Sequence, residues 1–350
     1  MKASSIKKIF TALTAVFWLC AAVVLCLSCA PEAPEGSPNF LQGITRFSLT
    51  GENAGAAQAE MFALLGEIEE QVSARLPGSD VYKINEAGAG EGIAAGAHTL
   101  ELLRLSKHYA QLTGNAFNPA LESVSREWNY FKSGSPVPGS ERLAQLLVDC
   151  DISFFTESGG AVTKSRAGAM LDFGAIAKGY AADLCAEIAR EHGVNGTINI
   201  SGNIWMLGMV QDSSGARPYR VGITDPRGGE NGNYSYFARI NLHDTSVVTS
   251  GDYERFFIAG GKRYHHILDS ATGAPSASGL ISVTVISENS ALADALSTAL
   301  FVMGMERAID FAAENSIAVV LVDENMQYYN SPGIELENVF ETYTPYEQQS

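Results

Sequence analysis

The spacing of hydrophobic positions changes along the chain, and the changes mark its elements. Between Gly55 and Leu76, the residues Met61, Leu64, Leu65, Ile68 and Val72 fall on one helical face, which predicts a helix. A second is predicted over His98–Leu112, where Leu102, Leu105 and Tyr109 share a stripe that Gly114 ends. Glu141–Val148 reads as a short helix. Over Ala175–His192, Ile176, Tyr180, Leu184 and Ile188 recur every fourth residue, the cleanest helical pattern of the middle region. Beyond it the runs shorten. Thr197–Ile200, Trp205–Val210, Tyr219–Ile223, Phe237–Leu242, Ser246–Thr249, Phe256–Ile258 and Ile281–Ile286 are β-type stretches divided by turn residues. Phe47–Thr50, Ala161–Val162 and Ala169–Leu171 are earlier strand candidates. Helical spacing returns over Ala291–Met303 and Glu306–Glu314, and Ile317–Val322 closes the body as a strand. Helices and strands do not alternate strictly. That favours an α+β domain of mixed or antiparallel sheets with flanking helices over a doubly wound parallel fold.

The N-terminal pattern is of another kind. Lys2, Lys7 and Lys8 precede 20 uncharged residues, Ile9–Ser28, and then Cys29. A basic patch, an apolar run and a small residue before a cleavage point describe an export signal. Ser28 before Cys29 narrows it to a bacterial lipoprotein, cut before Cys29 and lipidated on its thiol, although Cys26 stands where such signals usually carry Leu. The alternative is an uncleaved anchor, since about 20 apolar residues span a bilayer. Both place the body outside the cytoplasm, facing the periplasm or the exterior. The expected organisation is a signal over 1–28, lipidated Cys29 with a linker to 39, one domain over 40–335 and a polar tail over 336–350.

Composition then excludes some functions. The chain has 350 residues, 46% of them hydrophobic, which is enough for a sizeable core and rules out global disorder. Its 23 basic against 39 acidic residues give a formal net charge of -16, which argues against sequence-independent nucleic-acid binding. A phosphate ligand remains compatible, because backbone amides or a bound cation neutralise phosphate locally. Of the five cysteines, Cys29, Cys150 and Cys185 follow the signal; whether Cys150 and Cys185 pair is left open.

Four segments could carry chemistry. In Leu171-Asp172-Phe173-Gly174-Ala175-Ile176-Ala177-Lys178, a strand ends, a glycine turn follows and a helix begins, an arrangement that attracts anions. An Asp172 cap with a solvated Lys178 would explain the same residues. Thr249-Ser250-Gly251-Asp252-Tyr253, running into Arg255, lets a ligand approach the backbone or is an ordinary polar turn. His266 is a candidate proton acceptor that Asp269 could orient, or one of two surface histidines before a turn. Asp294 and Thr298, four apart, share a helix face and present hard oxygen donors suited to Mg²⁺; a dipole-favoured Asp and a back-bonded Thr is the plain alternative.

Each signal alone is weak, but their order is specific. DFGAIAKGYAAD, NISGNIWMLG, TSGDYERFF, YHHILDSATGAP, ADALSTALFVMG and SPGIE, with PGSDVYKIN and LTGNAFNPAL upstream, resemble the ApbE family of FAD:protein FMN transferases over roughly Phe40–Glu335. The resemblance implies a two-lobed domain that takes FAD as substrate and Mg²⁺ as cofactor. FMN would pass to a threonine hydroxyl of a target protein and AMP would leave. Typical targets are subunits of membrane redox complexes. By position, it implies metal ligation by Ala175, Asp294, Ser297 and Thr298. It implies FAD contacts from Gln42, Ala116, Phe117, Asn118, Asp172, Lys178 and Ile267, and catalysis by His266 with Asp269. Three departures bear on this. Gln42-Gly43-Ile44 replaces the usual Met-Gly-Thr, Asn118 replaces an Asp, and Arg75-Leu76 stands where an aromatic is often found. Some members lack that aromatic and hydrolyse FAD to FMN and AMP, so a Mg²⁺-dependent FAD pyrophosphatase is the sibling expectation. A non-catalytic FAD-binding lipoprotein is a third.

Overall fold

The computed structural model describes residues 39–41, 43–130, 136–228, 236–337 and 339–348. The signal segment, Cys29 and Gln42 lie outside these. In chain order, β1 (Asn39–Phe40) and β2 (Gly43–Thr50) lead to helices α1 (Ala54–Val72) and α2 (Asp80–Glu86). Strand β3 (Gly92–Ala94) and helices α3 (Ala97–Leu112), α4 (Glu122–Trp128) and α5 (Ser140–Leu147) follow. Then come β4 (Phe155–Ser158), β5 (Ala161–Lys164) and helix α6 (Ala177–Glu191). Strands β6 (Asn195–Ile200), β7 (Asn203–Leu207), β8 (Val210–Asp212), β9 (Gly215–Arg217), β10 (Tyr219–Thr224) and β11 (Tyr236–Leu242) continue the chain. They are followed by β12 (Thr245–Gly251), β13 (Phe256–Ala259), β14 (Lys262–His265) and β15 (Leu280–Ser287). Helices α7 (Ser290–Met303) and α8 (Met305–Glu314) precede β16 (Ala318–Asp323), β17 (Gln327–Asn330) and β18 (Thr344–Pro345).

The main sheet has the order β1-β2-β6-β7-β12-β15-β16-β17-β18, antiparallel except for the last pair. The expected α+β class with antiparallel sheets is therefore what forms. Side-chain alternation divides the sheet between two cores. Val283, Val285, Val319 and Leu321 face α7 and α8, where they meet Leu296, Leu300 and Ile309. Ile281, Ile286, Val320 and Val322 face the β10–β11 hairpin and meet Phe237 and Ile240. Strand β15 is accordingly buried at every position but its last, Ser282 and Thr284 included.

Several elements escaped periodicity. Helices α2 and α4 have seven residues each, too short for a 3.6-residue pattern to declare itself. Ala169–Leu171 makes an isolated bridge, Met170 to Leu121, instead of a strand. Part of the stretch expected to be a polar tail is built into the fold. Tyr343 is buried and stacks on Phe237 with ring centroids 4.5 Å apart, and Thr344–Pro345 pairs with β17. Two anchoring residues in a polar stretch leave no periodic trace. Cys150 and Cys185 are both free and buried.

Helices α6 and α7 cross closely because Gly179 has no side chain. A β-carbon there would lie 2.1 Å from the Ser290 carbonyl oxygen and 2.8 Å from Asp294 Cβ. Gly179→Ala is expected to cost about 1–3 kcal/mol, as overpacking does, because the obstacle is backbone. Denaturant unfolding measures this; an unchanged midpoint would show that the helices separate freely.

Candidate active site

A cavity of about 240 Å³ opens where the C-terminal ends of strands in the main sheet meet the starts of α6 and α7. Ala116, Phe117, Asn118, Asp172, Ala175, Lys178, His266, Ile267, Asp294 and Thr298 all line it. Residues far apart in sequence are thus brought to one wall.

The corner at Asp294 is built by two helices. Its side chain is nearly buried and accepts a hydrogen bond from Gly179 N at 3.0 Å. Lys178 Nζ lies 3.4 Å from Asp294 Oδ1 and donates to the Gly174 carbonyl at 2.5 Å. Lys178 is therefore tied to the turn and to the carboxylate, and the first helical turn keeps a cation despite the dipole. Asp172 Oδ1 accepts from Gly174 N at 2.8 Å, which closes the turn. Ser250 bridges to Ser297 at 2.8 Å and to Thr298 at 3.4 Å. Ser297 is fully buried, donates to the Asp294 carbonyl and does not line the cavity, so its hydroxyl supports Ser250 from behind.

Among the described residues no cluster of three or more His, Cys, Asp or Glu could hold a metal ion. The corner nevertheless has a hard-oxygen donor set: the Asp294 carboxylate with the Thr298 and Ser250 hydroxyls. Such a set suits Mg²⁺ of the kind that keeps substrate oxygens and waters in its shell.

His266 is held at the foot of the β13–β14 hairpin. Its backbone N–H donates to the Arg255 carbonyl at 3.0 Å, and Nδ1 lies 3.3 Å from the same oxygen. An Nδ1–H donated there leaves Nε2 as the acceptor. Enclosure by protein, then the nearby Arg255 and His265, push the imidazole down to about 3. His265, in contrast, is buried and structural, with Nε2 3.1 Å from the Ser276 carbonyl oxygen. Asp269 does not orient His266. Its carboxylate takes the Ala271 N–H at 2.9 Å and the Thr272 hydroxyl at 3.1 Å, forming the next turn. Short polar side chains compete for local backbone, and here the local bonds win.

Asn118 lines the cavity, but both ends of its amide are engaged. Nδ2 donates to the Cys150 carbonyl at 2.9 Å and Oδ1 accepts from Ala120 N at 2.8 Å. The first bond needs a donor, which explains an amide in place of the carboxylate usual for the pattern. Asp252 is likewise structural, paired with Arg227 at 2.7 Å, while Thr249 and Ser250 face the cavity.

The wall also holds residues outside the expected set. Glu122 is buried beside Arg126, 2.7 Å away, and Arg75, 3.6 Å away. Burial, with Asp172 nearby, pushes its carboxyl up to about 7. Tyr130, Ser201 and Asn203 also line the cavity. Ser201 and Asn203 fall within the NISGNIWMLG stretch, which was the available signal; Glu122 and Tyr130 had none.

The ApbE family model matches residues 44–321, almost the whole described unit. The chain belongs to the ApbE family. Its relatives include a Treponema pallidum protein named FAD:protein FMN transferase, 35% identical over 266 residues, covering 72% of this chain and 73% of the relative. A Vibrio cholerae protein of the same name is 30% identical, covering 78% and 82%. The ApbE protein of Thermotoga maritima is similar in structure, with a TM-score of 0.76 at 30% identity over 83% of this chain and 94% of that one. The Pseudomonas stutzeri flavinyl transferase ApbE, in its apo form, has a TM-score of 0.71 at 28% identity, covering 82% and 90%.

Proposed function

We propose that this ApbE-family protein transfers FMN from FAD to a threonine hydroxyl of a target protein and releases AMP. The observation that carries the reading is the convergence, on one cavity, of a neutral imidazole acceptor at His266 with the Lys178–Asp294–Thr298 corner. The hydroxyl oxygen forms a bond to the FMN-side phosphorus. The pyrophosphate P–O bond breaks, and its electron pair leaves with AMP. His266 Nε2 takes the hydroxyl proton. Lys178 and the first turn of α6 hold phosphate oxygens, and Asp172 shapes the turn that presents them. Asp294 and Thr298, with Ser250 and the Ala175 carbonyl, would hold Mg²⁺, which when bound supplies neutralisation of charge on the pyrophosphate. Ala116, Phe117 and Ile267 form the apolar wall for the nucleotide, and Gln42 is proposed as a further contact.

Hydrolysis of FAD is the second reading, and one feature favours it. The wall at Ser73, Ala74 and Arg75 carries no aromatic ring, which leaves water room to replace the acceptor. AMP release from FAD with Mg²⁺ separates the two. AMP that appears only with a threonine-bearing subunit, together with a fluorescent protein band, establishes transfer. Equal AMP without the subunit, accompanied by free FMN, establishes the pyrophosphatase. FAD bound without AMP in either case would leave a flavin-binding lipoprotein.

The export pattern supports an anchor through lipidated Cys29, with the body in the periplasm or outside the cell and a membrane redox complex as its partner. Among the described residues no helix is long and apolar enough to cross a membrane.

A further inference from the structure

Partnerless polar atoms concentrate in the cavity. Eight buried side-chain oxygen or nitrogen atoms lack a hydrogen-bond partner among the described residues, and four of them belong to residues lining this one cavity: Glu122, Tyr130, Ser201 and Asn203. A folded protein rarely leaves such atoms unpaired unless a ligand, ion or water completes them. Asn203 is the clearest case. Its side chain is 2% exposed and its Nδ2, a donor only, meets nothing.

The position of Asn203 is rigid. Strands β6 and β7 are joined by Ser201 and Gly202, with φ of 52° and 97°, the left-handed conformation that two-residue hairpin loops favour. Ser201 N donates to the Ile44 carbonyl at 3.0 Å, and Gly202 N to Asn199 Oδ1 at 3.0 Å. Gly43 leaves the space that the Ser201 hydroxyl occupies, since a β-carbon there would lie 1.7 Å from Ser201 Oγ. Strand β7 pairs with β12, Ile204 opposite Val247, and the next step of that register sets Asn203 beside Val248. Thr249 and Ser250 follow at once, and Ser250 touches Thr298 of the phosphate corner. An unpaired donor therefore belongs to a residue lining the cavity close to that corner.

We infer that the Asn203 side-chain amide donates a hydrogen bond to a diphosphate oxygen of FAD, with the Ser201 hydroxyl beside it. The inference rests on the proposed use of FAD and adds a positioning residue to it. The amide fixes the diphosphate from the sheet side, opposite Lys178 on the helix side.

The test is FAD binding by flavin fluorescence, with EDTA present, to the purified protein and its Asn203→Ala, Asn203→Asp and Ser201→Ala variants. Loss of one hydrogen bond to a charged oxygen weakens binding roughly tenfold in Asn203→Ala. Asn203→Asp, which adds repulsion, weakens it further, and Ser201→Ala weakens it by about threefold. Any fall in the thermal midpoint of Asn203→Ala should be small and reflect lost packing alone, because the lost donor had no protein partner among the described residues. ADP, used as a competitor, should lose affinity for Asn203→Ala by the same factor as FAD. A lowered midpoint with unchanged FAD affinity would make Asn203 structural and overturn the inference. A loss for FAD without a loss for ADP would move the amide off the diphosphate and overturn it as well. Wild-type protein that binds no FAD would instead reject the functional reading on which the inference rests.

Discussion

Asp294→Asn is expected to lower Mg²⁺-dependent AMP release by on the order of a thousandfold, the consequence of losing several kcal/mol of charge stabilisation at the transferring phosphoryl group. The substitution is nearly isosteric. Its carbonyl oxygen can still accept from Gly179 N, so the crossing of α6 and α7 persists. What disappears is the negative charge that faces Lys178 and that would hold the cation. The asparagine variant should therefore unfold at nearly the wild-type temperature and still bind FAD in EDTA, while raising Mg²⁺ restores little turnover. Wild-type turnover and Mg²⁺ dependence in Asp294→Asn would remove the corner from the mechanism.

The second large effect is expected at His266. His266→Gln should cut the rate of transfer by about 10²–10⁴-fold, the range for loss of a general base, with FAD affinity changed only slightly. The pH profile carries the sharper information. Enclosure and the neighbouring Arg255 hold the ring well below its ordinary 6.5, at about 3, so the neutral, proton-accepting form persists through the acidic range. The free protein's activity should not lose an acid limb near 6.5 to this residue. Arg255→Gln removes a cation that opposes protonation, so it should raise the ring's pKa and move any acid limb upward. A limb at 6.5 in wild type that vanishes in His266→Gln would refute the depressed value.

The same shift has a consequence for stability. Between about pH 6.5 and 3 the unfolded chain binds a proton on His266 that the folded chain does not. The contribution is present above the unfolded value and is lost as pH falls through that window. Relative to His266→Gln, which has no ring to titrate, the wild-type urea midpoint should fall as pH drops from about 6.5 toward 3, so the two diverge on the acid side.

Much of this protein was legible from residue order because its longer elements repeat their pattern enough times. Helices α1, α3, α6 and α7, and strands such as β15 and β16, bury a face along their whole length, so their sequences record it. Asp294 and Thr298 could be paired from sequence because a helix places i and i+4 side by side. Asp172 and Lys178 could be placed at a helix start because a strand–glycine–helix junction has local syntax. The ordered series of motifs pointed to the ApbE family for the same reason: each motif is a local arrangement.

Contacts across the fold were decided elsewhere. Asp269 and Asn118 have the right chemistry for a site, yet local hydrogen bonds engage their side chains. Glu122, Tyr130 and Asn203 reach the cavity from separate helices, loops and strands, and no spacing in the chain relates them. Tyr343 stacks in a core that its polar neighbours conceal. The sequence alone determined which segments become helix or strand and which residues could bind phosphate, metal or a proton, because those depend on near neighbours. Only the tertiary structure decided which of these residues meet, which imidazole is enclosed and which polar atoms are left facing the cavity, because burial and desolvation are properties of the packed whole.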